Sequence, residues 1–203
     1  MRRKIMKKVL IIGATGTIGS AVRETLLNET DNQLTLFARS ASRLKAGERE
    51  TVIAGDVTND RDLDQAIAGQ DVVFIALSGA LGRFANKIVA AMDRNHVARL
   101  LFITSMGIYD EIPASIGASG NLSHNSMLKS YREAADIVEG SDLNYTVIRP
   151  GWFTGGPVDY EITKKGEPFG GHDVSISSIA DFVKNAVADD NYYSHDSVGL
   201  NSK

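Results

Sequence analysis

The chain contains no cysteine. Disulfides, thiol catalysis and thiolate metal sites are therefore excluded, and the composition fits a cytoplasmic protein. Its histidines, His96, His124, His172 and His195, are scattered without the spacing of a metal-binding set. Long apolar runs are absent too. The basic opening MRRKIMKK resembles the start of a signal peptide, but the apolar run behind it is broken by Gly13 and is far too short to span a bilayer. There is also no excess of positive charge. The formal net charge is −3, which gives nucleic-acid binding no electrostatic support.

What is present is ordinary for a globular protein. The chain has 203 residues, of which 43% are hydrophobic and 23% charged, enough for one domain with a substantial core. Around its first junction the chemistry becomes specific. Val9-Leu10-Ile11-Ile12 reads as a buried strand that stops at a glycine-rich turn. Gly13, Gly16 and Gly19 are spaced three apart, and Val22 and Leu26 then repeat at helical spacing. Strand, glycine turn and helix form the geometry that binds a dinucleotide pyrophosphate. A helix start offers unpaired N–H groups and the positive end of its dipole, and glycines let an anion approach them. Thr15 and Thr17 add hydroxyl donors.

Alternation of strands and helices continues to the end. Strands are expected at 33–38, 51–57, 71–77, 99–105 and 144–149, and at 197–200 as a last edge strand. Helices are expected at 60–68 with Asn59 as its cap, at 83–95, at 125–139, and from a Ser177-Ser178 cap through Ala188. The Gly/Ser-rich stretch 111–123 reads as a mobile loop near the site. The pattern predicts an α/β, Rossmann-type doubly wound parallel sheet in a single domain, with a short substrate-side segment from about residue 151. Arg39 ends the second strand, about twenty residues beyond the glycine turn, where an acidic residue would grip the ribose hydroxyls of NAD. Arg39, with Arg43 beyond it, favours a 2′-phosphate and so predicts NADP(H) over NAD(H).

These segments resemble the atypical short-chain dehydrogenase/reductases of the NmrA-like, NAD(P)-binding group. The likeness is carried by VLIIGATGTIGSAV (9–22), LFARSASRL (36–44), GDVTND (55–60), FITSMGIY (102–109), LKSYREAADIVEGSDLNYTVIRPGWFTGG (128–156) and SISSIADFV (175–183). The resemblance implies that Gly13, Thr15, Gly16, Thr17, Ile18 and Gly19 hold the pyrophosphate, and that Arg39 meets the 2′-phosphate. It implies that Asp56 and Val57 meet the adenine, and that Ala76, Leu77 and Ser78 pass beside the ribose. Pro150, Gly151, Trp152 and Phe153 would line the nicotinamide. Ser105 would polarise a substrate carbonyl, and Lys129 would match the family's catalytic lysine and bind the nicotinamide ribose.

One departure is chemical. Four residues before Lys129 the family's reductases carry a tyrosine, and this chain carries Asn125. On a continuous helix the two would share a face. An amide can hydrogen-bond but cannot donate a proton to a developing alkoxide. His124, Tyr109, Tyr131 or water remain as donors. The expected function is an NAD(P)H-dependent oxidoreductase passing hydride to a small carbonyl, quinone or flavin acceptor. The alternative is a non-catalytic NAD(P)-sensing protein. An epimerase or dehydratase acting on a nucleotide sugar ranks last, because only about fifty residues follow the sixth strand, where such relatives usually carry a longer substrate domain, and the tyrosine is absent. A homo-oligomer is compatible with either of the first two.

Overall fold

The computed structural model describes residues 6–203; the first five residues of the basic opening lie outside the described residues. β1 (Lys8–Ile12), β2 (Gln33–Ala38), β3 (Glu50–Ala54), β4 (Val72–Ile75), β5 (Arg99–Ile103) and β6 (Asn144–Pro150) join β8 (Glu161–Lys164) and β10 (Asp196–Asn201) in an eight-stranded sheet. Its order is β3-β2-β1-β4-β5-β6-β10-β8. Neighbours run parallel except at the β10–β8 edge, which is antiparallel. The order reverses between β1 and β4, so a crevice opens at their carboxyl ends.

Alternation along β1 shows why the sheet is covered on both faces. Leu10 and Ile12 enter one apolar core, beneath α2 (Asp60–Ile67), α3 (Leu81–Arg94) and α4 (Lys129–Glu139). Val9 and Ile11 enter the other, with α1 (Thr17–Glu29) and α5 (Ile176–Ala188). Successive strand side chains point to opposite faces, so an unbroken apolar run fills both cores. Asn59 caps α2 as expected, its side chain accepting from the Arg61 and Asp62 N–H groups.

Four local expectations are corrected. α5 begins at Ile176 and is capped by Ser175, whose hydroxyl accepts from the Ser178 N–H at 3.1 Å. β10 is interior, held between β6 and β8, so it is not the edge strand. The stretch 111–123 is tied down: the Asn121 amide pairs with both the N–H and the carbonyl of buried Ile112, each at 2.9 Å. The helix expected over 125–139 begins only at Lys129, after a 3-10 turn at Ser126–Leu128. Beyond residue 151 the chain divides. β7 (Trp152–Thr154) and β9 (Asp173–Ser175) form a small parallel pair, while α5 and β10 return to the main body.

Candidate functional site

The three glycines of the first turn have different reasons to be there. Gly13 has φ +93°, and a Cβ on it would lie 2.2 Å from the Ala76 carbonyl oxygen. A Cβ on Gly19 would lie 2.2 Å from the Gly13 oxygen, so α1 could not seat against the turn. Both positions are fixed by the protein's own packing. Gly16 is different. Its backbone is extended (φ −81°, ψ 168°), and an added Cβ would meet only the Gly13 oxygen, at an ordinary 3.4 Å. Nothing in the chain itself requires glycine there, and the main chain at that point is left open.

The helix start behind it suits an anion. Gly16 caps α1 without a side-chain hydrogen bond, and the first turn carries no acidic residue. Thr17 is exposed at that turn, while Ile18 and Gly19 are buried beneath it. The leading N–H donors and the dipole are thus unopposed.

A cavity of 370 Å³ extends from this turn, lined by Gly13, Thr15, Gly16, Arg39, Asp56, Val57, Ala76, Leu77 and Ser78, among others. The Ser40 hydroxyl reaches Thr15 Oγ1 at 3.2 Å and braces the turn against the end of β2. Asp56 Oδ1 accepts from the Thr58 N–H at 2.8 Å and its hydroxyl at 2.9 Å. Those bonds hold the carboxyl below the usual range, helped by the charges of Arg39 and Arg83. Arg43 stands apart, exposed on the 3-10 turn Ala41–Arg43, and does not line the cavity. The residues fit a dinucleotide: a bare turn for phosphates, an exposed guanidinium for a further phosphate, and an ionised acceptor beside it.

A second cavity of 250 Å³ lies at the carboxyl ends of β5 and β6. Thr104, Ser105, Met106, Pro150, Gly151, Trp152 and Phe153 line it together with Tyr131 from α4. The Thr104 hydroxyl is committed to the Ile148 carbonyl at 3.0 Å. The Ser105 and Tyr131 hydroxyls make no hydrogen bond among the described residues.

Lys129 and Asn125 are not brought to this cavity. Lys129 is exposed and lines a separate groove with Arg132, Glu133 and Asp136. Asn125 precedes the helix, with extended backbone, and its side chain accepts from the Met127 N–H. The two therefore do not share a helical face. Of the substitute donors named from the sequence, Tyr131 is the one that lines this cavity. Its signal was legible: Tyr131, Ala134, Ala135 and Val138 repeat at i, i+3, i+4 and i+7, the inward stripe of α4. Lys129, Glu133 and Asp136 form the exposed stripe. Phe84 and Thr58 at the first cavity were not anticipated.

Sheet order and bare turn define a Rossmann-type nucleotide-binding protein. The profile of the NAD(P)H-binding family matches residues 13–190, and the chain belongs to that family. A Rossmann-fold NAD(P)-binding family protein from Shigella flexneri is 36% identical, with TM-score 0.84 over 98% of this chain and 94% of that one. A short-chain dehydrogenase/reductase from Veillonella parvula, solved in complex with NADP, is 28% identical, with TM-score 0.88 over 98% and 95%. The NAD(P)H azoreductase of Xenophilus azovorans is 28% identical over 188 residues, covering 88% of this chain. The chain spans only 62% of that azoreductase and 19% of a 3-beta-hydroxysteroid dehydrogenase from Mycolicibacterium neoaurum, which it matches over 72 residues.

Proposed function

We propose that this chain is an NADPH-preferring oxidoreductase that passes hydride to a small carbonyl, quinone or flavin acceptor seated in the Ser105 cavity. The observation that carries the reading is Gly16, a glycine that neither backbone conformation nor packing demands. Its open face lies at an uncapped helix start, where a pyrophosphate would sit on main-chain N–H groups. Arg39 offers a planar guanidinium for a 2′-phosphate, and the ionised Asp56 offers an acceptor for the adenine amino group.

A bound dihydronicotinamide supplies the hydride. The chain's part is placement and proton supply. β4 and β5 are adjacent, so the Ser78 end of the first cavity neighbours the Ser105 cavity. There the Ser105 hydroxyl orients an acceptor oxygen and the Tyr131 hydroxyl delivers a proton to it. The sensing alternative draws on Asn125, which offers no acid; a free tyrosine hydroxyl in the same cavity as Ser105 favours turnover.

Calorimetric titration of NADPH into wild type and Gly16→Val tests the reading. Wild type should bind, and the valine variant should lose at least about tenfold in affinity while melting normally. Equal affinities would refute it.

A further inference from the structure

The rim of the Ser105 cavity carries an indole that is exposed yet fixed. Trp152 is 66% exposed and its neighbour Phe153 is 50% exposed. The Trp152 ring stacks on the His172 imidazole, centroids 5.8 Å apart and planes within 6°. Backbone contacts lock the same pair: the Trp152 N–H donates to the His172 carbonyl at 2.8 Å. A Cβ on Gly151 would lie 2.5 Å from that carbonyl oxygen, so the two segments are as close as glycine allows. His172 Nδ1 lies 2.5 Å from an Asp173 carboxylate oxygen, which sets the ring's orientation.

His172 does not line the cavity, whereas Trp152 does. The imidazole thus braces the indole from outside, while the indole itself borders the cavity. An aromatic ring already held in place has little rotamer freedom to lose on binding. Among the described residues the cavity lining carries no charged side chain, and its uncommitted hydroxyls are those of Ser105 and Tyr131. At 250 Å³ it is smaller than the usual drug-sized site, room for one or two fused rings.

From this arrangement we infer that the acceptor is a flat, conjugated, uncharged quinone stacked on Trp152. The inference rests on the reductase reading and narrows it. Aliphatic carbonyls lack the ring–ring term that an aromatic acceptor gains on the indole beyond area burial, and sugars would leave hydroxyls unpaired against apolar walls. In the reaction the quinone takes a hydride from the dihydronicotinamide at one carbonyl. It takes a proton at the other, from solvent through Tyr131. Both C=O π bonds become C–O–H as the ring turns aromatic, and the nicotinamide is left oxidised.

Trp152 is the sole tryptophan of the chain, so its fluorescence reports the cavity without turnover. The full chain, free of nucleotide, is titrated with menadione and with 2-decalone, a saturated bicyclic ketone, with free tryptophan amide as the optical control. Menadione should quench saturably and decalone should bind at least about tenfold more weakly. By calorimetry, Trp152→Phe should keep menadione affinity within about threefold and Trp152→Leu should lose about tenfold. Equal binding of the two compounds, or a Trp152→Leu variant that binds menadione like wild type, overturns the inference. Quenching by menadione in a protein that fails to bind NADPH would instead overturn the reductase reading and leave the stacking site standing.

Discussion

Nη1 of Arg149 lies 2.5 Å from Oε1 of Glu111, and both side chains are buried, 0% and 4% exposed. The pair joins the end of β6, one residue before Pro150, to the start of the Gly/Ser-rich stretch. Glu111 also accepts from the Gly107 and Tyr109 N–H groups, and Arg149 donates to the carbonyl and hydroxyl of Ser197. Removing one partner strands the other charge in the interior. Glu111→Met and Arg149→Met should each cost about 3–5 kcal/mol, read from urea unfolding. The double variant Glu111→Met/Arg149→Met should cost less than the sum of the single changes. Additive losses would mean the two groups act independently.

The three glycines should separate cleanly on substitution. Gly13→Ala forces a Cβ into the Ala76 carbonyl at a positive φ, and Gly19→Ala forces one into Gly13. Each should destabilise by roughly 2 kcal/mol or more. Gly16→Ala should leave the melting temperature within about a degree or two of wild type and still weaken NADPH binding. A Gly16→Ala variant that unfolds like Gly13→Ala would assign Gly16 to packing.

The layers that were legible in the sequence were those written locally. Val9–Ile12 and Val72–Ile75 read as strands because continuous apolar runs need cover on both faces. Asn59 read as a cap because its side chain serves the very next turn. What failed depended on distant partners. The interior place of β10 follows from β8 folding back against it, an antiparallel pairing with no local signature. The loop 111–123 looked free because Glu111 finds Arg149 and Phe169 finds the Glu111 carbonyl only in three dimensions. At the site, a four-residue spacing linked Asn125 to Lys129, but the chain is helical only from Lys129 onward. Helical period along α4 was the better guide, since it turns Tyr131 inward and Lys129 out.

Acid should loosen the β3 end of the sheet. Glu50 takes two contacts from the Arg23 guanidinium, at 2.5 and 2.7 Å, and the Gly47 N–H at 2.8 Å. The Arg23 hydrogen bond, foremost, holds the carboxyl below its ordinary value of 4.5. Its folded pKa is therefore depressed, so the stability it contributes is complete above about pH 4.5 and drains away as pH falls through the folded value. Arg23→Gln should flatten that acid limb in a melting-temperature profile. An unchanged profile would show that the pair contributes nothing.

Arg39 should govern the choice between nucleotides. It lines the first cavity at the end of β2, exposed and beside ionised Asp56. Arg39→Gln should weaken NADPH by about tenfold and leave NADH within about twofold, because only the former carries the 2′-phosphate. Arg43→Gln, changed at a residue off the cavity, should alter neither. Parallel losses for both nucleotides in Arg39→Gln would point to adenine stacking rather than phosphate capture.

The proton donor is the sharpest test of the site. Tyr131 and Ser105 share a cavity, while Lys129 sits on the opposite stripe of α4 among Arg132, Glu133 and Asp136. General acid catalysis contributes typically 10²–10⁴-fold where solvent cannot replace it. With an aromatic aldehyde, Tyr131→Phe should lower kcat by at least about a hundredfold and leave NADPH affinity intact. With menadione the loss should be smaller, since the quinolate formed is a stable phenoxide-type anion that needs no proton in the transition state. Lys129→Met should stay within about threefold of wild type for both acceptors, as expected of an exposed lysine. If Lys129→Met instead abolishes turnover while Tyr131→Phe is silent, helix α4 must shift on nucleotide binding, and Lys129 rather than Tyr131 serves the acceptor.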